Sequence, residues 1–340
     1  MKRSLVVPTA GAAAVLLTVL AAGCSSSGSS SSASGGSTSS STTGSSSGKT
    51  YKLSFIQGVA GDGFYVTMGC GIQAEAKKYG LTVNVQGPAQ FDSTLQNPII
   101  ESVTASHPDA IMVAPDDVTA SQEPIDQAMS AGIKVVLVDT TLNNPGNAVS
   151  QISSDNLAGG ADAFTAVKQL VPGGGQVLVV NTKPGISTTD QRTTGFADAA
   201  KADSKYTYVG VQYDQDSASI AAQVTLAALQ KNPGIVGIFA TNLFSAEGAA
   251  TAVRQAGKSG KVKIVGFDAD PDQIAALKQG TVQALIAQSP YTIGQDAVEQ
   301  AINALTGKPV TAKIGTKFTI INSANLTSAA SQAAIYKTAC

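Results

Sequence analysis

The chain has no tryptophan, one histidine, three cysteines and only 13% charged residues, and each scarcity closes off a class of function. A single imidazole, His107, excludes centres built on two, such as an H-E-x-x-H zinc site. It precedes Pro108 in what reads as a surface turn and is assigned no chemistry. Cys24, Cys70 and Cys340 are too few for a disulfide-built mini-fold or a four-thiolate zinc site. The 22 basic and 23 acidic residues balance, so no positive excess is available to neutralise nucleic-acid phosphates. Neither G-x-G-x-x-G nor G-x-x-x-x-G-K-[ST] occurs, which removes the two usual phosphate cradles. The pattern G-x-S-x-G falls only on Gly44–Gly48, in a Ser/Gly-rich stretch with no β run before it, so no nucleophile elbow is present, the chain does not read as an enzyme, and no metal or cofactor is called for.

The first residues carry an address. Lys2 and Arg3 precede an apolar run from Leu5 to Leu20, too short for a membrane span, and the small residues Ala21, Ala22 and Gly23 lead into Cys24. This is an export signal. Its ending resembles a bacterial lipoprotein cleavage box, in which Cys24 becomes the lipid-modified first residue; the alternative is an ordinary secreted protein cut nearby. Two or more acyl chains would hold the protein on the outer face of the cell membrane, where one would be marginal. Residues Ser25 to Gly48 hold 15 Ser, 5 Gly, 3 Thr and Ala33. Such a stretch buries no apolar surface and reads as a flexible tether spanning roughly 27 Å. Residues 1–23 are thus expected to be a signal peptide and 24–49 a lipid-anchored linker.

From Tyr51 onward the pattern is regular. Short β-rich runs (51–57, 81–86, 110–114 and 133–139) alternate with helical spacing such as Phe64, Met68, Ile72, Ala76 and Tyr79. After Ser150 the alternation resumes with runs at 176–181, 206–214, 234–240, 261–268 and 282–288. A helical pattern on Ile293, Ala297, Ala301, Ile302 and Leu305 follows, then a β-like run from Lys317 to Ile321. Alternation of this kind predicts α/β structure: two doubly wound parallel-sheet lobes in succession. The final run could belong to either lobe.

In open parallel sheets, ligands bind beyond the carboxyl ends of the strands. Here those ends are polar: Asp139, Asn242, Asp268 and Gln288 each close a β run, and Asp62, Phe64 and Tyr65 follow the first. Carboxylates and amides can accept from, and satisfy, the adjacent hydroxyls of a sugar or polyol, and aromatic rings offer a flat surface to its C–H face. The same residues also suit plain structure. Asp62 could simply cap the first helix, Asp139 and Asp268 could be turn residues, and Phe64 could be core.

The stretches GFYVTMGCGIQAEAKKYG (63–80), ISSDNLAGG (152–160) and VGFDADPD (265–272) resemble the extracytoplasmic solute-binding proteins of sugar-importing ABC transporters, of the ribose-binding type. The resemblance runs from Lys52 to about Ile321. It implies two lobes, 50–152 with 289–317 and 153–288 with 318–330, followed by a tail at 331–340. It also implies a three-stranded hinge crossing near Ser153, Gln288 and Lys317, closure on a ligand between the lobes, and delivery to a permease. Position by position, the ligand-binding residues it implies are Asp62, Phe64, Tyr65, Asp139, Asn242, Asp268 and Gln288. Three positions depart from it: Thr140 and Asp190 stand where the ribose-binding type has arginines, and Gln215 stands at its third aromatic position. The Asp190–Gln191 pair is similar to relatives that bind rhamnose or autoinducer-2. An acceptor-only Asp190 in place of an arginine implies a donor-rich ligand, and its removal is expected to abolish binding without harming the fold.

Two rivals share the architecture. A sugar-responsive repressor would begin with a basic helix-turn-helix where this chain has an export signal, and a sensor or chemoreceptor could replace the permease as listener. The expected partners are a small neutral sugar or polyol, a permease and, through the lipid, a membrane, with no nucleic acid and the protein acting as a monomer. Outside the cytoplasm Cys70 and Cys340 can form a disulfide tying the tail to the first lobe, or remain two free thiols.

Overall fold

The computed structural model describes residues 50–340. The signal segment, Cys24 and the linker lie outside the described residues. The first lobe is built on strands β1 (Leu53–Ile56), β2 (Val83–Gln86), β3 (Ala110–Val113), β4 (Lys134–Val138) and β5 (Ser150–Ser154). The second uses β6 (Gly175–Asn181), β7 (Tyr206–Tyr213), β8 (Ile235–Ala240), β9 (Lys263–Phe267) and β10 (Ala284–Ala287). Two late strands, β11 (Lys313–Thr316) and β12 (Thr319–Asn322), complete one sheet each, giving the orders β11-β5-β4-β3-β1-β2 and β12-β10-β9-β8-β6-β7. All pairings are parallel except β10 with β12.

Helices cover both sheets. α1 (Gly63–Lys78), α2 (Ser93–Ala105) and α3 (Gln122–Ser130) lie on the first lobe, and α4 (Asn156–Leu170), α5 (Ser187–Lys201), α6 (Ala218–Lys231), α7 (Leu243–Gln255) and α8 (Pro271–Lys278) on the second. α9 (Pro290–Leu305) returns to pack on α1 and on β3, β4 and β5, while the short α10 (Ala329–Ala333) lies by β12. Central strands such as β1 and β3 are buried along their whole length, as expected of strands covered on both faces. On α1 the stripe Phe64, Met68, Ile72 and Ala76 is buried, while Tyr79 caps the helix and is 45% exposed.

The α/β two-lobe architecture expected from the alternation is therefore present. The chain passes between lobes three times: after β5, after β10 and between β11 and β12. The run near 317–321 belongs to the second sheet, through its antiparallel pairing with β10. Strands β5 and β11, SQISS and KIGT, had no counterpart among the β-rich runs because they are short and largely polar. Among the described residues no helix is long and apolar enough to cross a membrane.

Candidate functional site

The two sheets present their carboxyl ends to each other across a narrow gap lined by residues of both lobes. The lobes are closed on it. Across the mouth, Lys183 Nζ donates to Phe91 O at 2.7 Å, Val118 N to Gly185 O at 3.0 Å, and Thr141 N to Ser187 Oγ at 3.0 Å.

From the first lobe come Val59, Asp62, Phe64, Tyr65, Phe91 and Asp139. Asp62 is the N-cap of α1, accepting from Phe64 N at 2.8 Å, and the same residue lines the gap. Phe64 packs edge-on against Tyr65, with centroids 5.1 Å apart. The Tyr65 hydroxyl donates to Asp139 Oδ2 at 2.8 Å, and Asp139 Oδ1 is buried with no hydrogen-bond partner. An unpaired buried acceptor is costly, and a guest with a hydroxyl to donate would satisfy it.

The second lobe mirrors this. Asp268 follows β9 as Asp139 follows β4. Both aspartates adopt left-handed backbone, φ 79° and 61°, a conformation that costs energy and collects at functional sites. Each also donates its backbone N–H to the neighbouring strand, Asp139 to Ile152 O and Asp268 to Ile286 O. Asp268 Oδ1 accepts from Gln288 Nε2 at 2.8 Å, while Gln288 Oε1 accepts from Ser154 Oγ at 2.9 Å, so the glutamine ties the site to the crossing strands. Asn242 caps α7 through Ser245 N and donates from Nδ2 to Asp216 Oδ1 at 2.6 Å.

Asp62, Phe64, Tyr65, Asp139, Asn242, Asp268 and Gln288 thus line one gap; Asp190 and Gln191 do not. Asp190 is turned into its own loop, where its carboxylate accepts from Gly185 N at 2.9 Å and from Asn181 Nδ2 at 3.4 Å. Gln191 is exposed and borders a separate cleft with Thr141, Gln151 and Lys313. The reason is helical geometry. At about 100° per residue, positions two apart face opposite ways, whereas Thr188 and Arg192, four apart on α5, share the inward face. Positions 140 and 190 carry no arginine, as expected, but the expected consequence, a gap without one, is corrected: Arg192, 2% exposed, stands in the wall with Thr188 and Thr189. Its Nε donates to Asn156 Oδ1 and its Nη1 to Thr241 O, both at 2.8 Å, and its guanidinium lies 3.8 Å over the Phe267 ring. Asp216 also lines the gap, whereas Gln215, the position expected to replace an aromatic ring, is exposed at an outer groove. Thr140 is buried and donates to Pro115 O instead of facing the gap. The i, i+4 pairing within STTDQR was the signal that could have found Arg192.

Four carboxylates therefore face one guanidinium. Burial, reinforced by Asp268, raises Asp62 to about 8. Burial raises Asp139 to about 6 against the opposing pull of Arg192 and the Tyr65 hydroxyl. Asp268 and Asp216 are also pushed upward by burial, opposed at Asp268 by Arg192, Gln288 and Tyr336. Raised this far, Asp62 holds a proton near neutral pH and can donate, while a carboxylate that stays ionised accepts, so the lining suits a neutral guest with hydroxyls to give and take.

Known proteins share this fold. The pattern of the periplasmic binding protein domain matches residues 53–309. The chain belongs to the periplasmic binding proteins. It is 32% identical over 247 residues to the ribose import binding protein of Bacillus subtilis, covering 73% of this chain and 79% of that one. It is 30% identical over 269 residues to the D-allose-binding periplasmic protein of Escherichia coli, covering 76% and 86%. Among solved structures it is similar to an ABC transporter solute binding protein from Agrobacterium vitis bound with alpha-D-tagatopyranose, with a TM-score of 0.82 and 38% identity over 84% of this chain and 99% of that one. Like these relatives, this periplasmic binding protein is a binder and not an enzyme.

Proposed function

We propose that this protein captures a neutral monosaccharide or polyol in the interlobe gap, outside the cytoplasm, and presents its closed form to an ABC import permease. The observation that carries the reading is the meeting of Asp62 and Asp139 from one lobe with Asp216 and Asp268 from the other around one gap, with Asp139 Oδ1 unpartnered. A sugar donating hydroxyls to both sets binds the closed state better than the open one and shifts the population toward it. Phe64, Tyr65 and Phe91 supply apolar faces, Asn242, Gln288 and Arg192 orient the guest, and the lobes hinge as 50–152 with 289–317 against 153–288 with 318–330. The names of the relatives point to ribose, allose or tagatose as the size class. The Asp190–Gln191 pair, which suggested rhamnose or autoinducer-2, lies outside the gap and lends those ligands no support.

In the same reading Cys24 carries a lipid and residues 25–49 tether the monomeric body to the outer face of the cell membrane. Intact mass of protein recovered from membranes tests this, and an unlipidated N-terminus would remove the anchor. Ligand capture is tested by thermal shift with D-ribose, D-allose and D-tagatose. At about 100 times its dissociation constant a ligand adds about 2.7 kcal/mol, roughly 2–4 °C per kcal/mol for a protein of this size class. No shift with any neutral sugar or polyol, alongside a shift with an anionic ligand, would contradict the reading.

A further inference from the structure

The segment that follows β12 lies beyond the residues matched by the family pattern, which ends at 309. It runs through α10 and crosses back over the hinge. Tyr336 is 4% exposed and belongs to the second lobe's side: its N–H donates to Ala269 O at 3.0 Å, and its hydroxyl donates to Asp268 Oδ1 at 3.1 Å. The same hydroxyl accepts from the Gln288 N–H at 3.0 Å. The very next residue turns to the first lobe. Lys337 N donates to Thr67 Oγ1 at 2.6 Å, its Nζ lies 4.9 Å over the Tyr291 ring, and Cys340 is disulfide-bonded to Cys70 on α1 with Cα atoms 5.3 Å apart. The Tyr336 ring also packs edge-on against Phe64, centroids 5.8 Å apart.

Tyr336 is not part of the lining of the gap. It stands behind three residues that are: Phe64, Asp268 and Gln288. We propose that Tyr336 is a positioning residue of the sugar site, seated by the Cys70–Cys340 strap, and that it aims the Asp268 carboxylate at the ligand while joining it to the hinge at Gln288. This rests on the reading of the gap as a sugar site. Oδ1 of Asp268 is engaged by the Gln288 amide and the tyrosine hydroxyl, and the Leu243 backbone N–H also donates to this carboxylate; so fixed, it turns its remaining lone pair to a sugar hydroxyl. The disulfide adds a fourth covalent link between lobes already joined by three crossings. It thereby narrows the range of open states and keeps Tyr336 in register through each closure.

The test is calorimetric titration of the purified protein with D-ribose, D-allose and D-tagatose from pH 5 to 9, comparing wild type with Tyr336→Phe and with the double variant Cys70→Ser/Cys340→Ser. For whichever sugar the wild type binds, Tyr336→Phe is expected to weaken affinity about tenfold, the effect of losing about 1.4 kcal/mol. The acid limb of the affinity profile should also move to higher pH, because Asp268 loses a donor that favours its ionised form. Arg192, Asp62, Asp139, Asp216 and Asp270, the charged groups around Asp268, are unchanged in that variant. The double serine variant, which keeps Tyr336 but unties it, should lose affinity several-fold. If Tyr336→Phe does not fold, that variant decides alone: weaker binding upholds the assignment, and unchanged binding overturns it. An unmoved pH profile with unchanged affinity in Tyr336→Phe also overturns it, as does a loss of affinity with the profile unmoved. A wild type that binds no sugar rejects the sugar site itself, and the assignment falls with it.

Discussion

The guanidinium of Arg192 lies 3.8 Å over the ring of Phe267, beside a gap whose lining also holds four carboxylates. Phe267 ends β9 one residue before Asp268, so the stack fixes the arginine against the strand that delivers the acidic acceptor. With one Nη1 bond to Thr241 O and one Nε bond to Asn156, the rest of the planar fork is left for the gap.

Arg192→Lys should therefore fail as a conservative change. A point-charge ammonium keeps neither the stack nor the fork, and the loss of a buried charged hydrogen bond, about 1.5–3 kcal/mol, predicts roughly 10- to 100-fold weaker sugar binding by calorimetry. Affinity within a factor of two of wild type would remove Arg192 from the site.

Asp190→Ala is expected to act on the fold rather than on the ligand. The carboxylate accepts from Gly185 N–H at the start of α5, where a negative charge also opposes the helix dipole, together about 1 kcal/mol. A drop of a few degrees in Tm with affinity reduced less than about tenfold is the predicted result. Abolished binding at unchanged Tm would restore Asp190 to the ligand.

Gly160→Ala should weaken binding from outside the gap. A Cβ at Gly160 would sit 2.0 Å from the backbone oxygen of Arg192, because α4 and α5 meet backbone to backbone there. α5 must shift and carry Arg192 with it. Overpacking of this kind costs about 1–3 kcal/mol, so both Tm and sugar affinity should fall; a variant with unchanged affinity would mean that the guanidinium does not need this fixed a seat.

The sequence was most legible where chemistry and position coincide on a strand end. Asp139, Asp268, Asn242 and Gln288 each close a buried β run, and the alternation of runs with helical stripes was enough to place them at one edge of two parallel sheets. It was least legible where orientation depends on a helix boundary. STTDQR holds an acid, an amide and a cation in consecutive positions, and which one faces inward is decided only by where α5 begins, at Ser187. Asp216 escaped notice for a different reason: it lies in an irregular loop with Gln215, both with positive φ, outside any periodic pattern. Tyr336 sits in a tail whose own spacing carries no signal of the hinge it touches.

Asp116 supplies a pH-dependent prediction about stability. It is fully buried in the loop after β3, and burial raises its carboxyl to about 9 against the Asp92 backbone N–H and Lys183. A folded-state pKa above the unfolded 3.8 means the folded form retains a proton that the unfolded chain releases. The group's contribution is fully present below pH 3.8 and is lost as pH rises toward 9. Asp116→Asn, neutral throughout, should therefore raise Tm by several degrees at pH 8 and by much less at pH 5. An equal change at both pH values would contradict the buried, protonated carboxyl.

The most direct test is a crystal structure of the purified protein grown with the sugar that gives the largest thermal shift. The account predicts a single sugar enclosed between the lobes, one hydroxyl donating to Asp139 Oδ1 and others reaching Asp268 and Asp62, with Arg192 in contact from the opposite wall. A sugar held on one lobe alone with the lobes apart, or an interlobe gap that stays empty while sugar binds elsewhere, would contradict it.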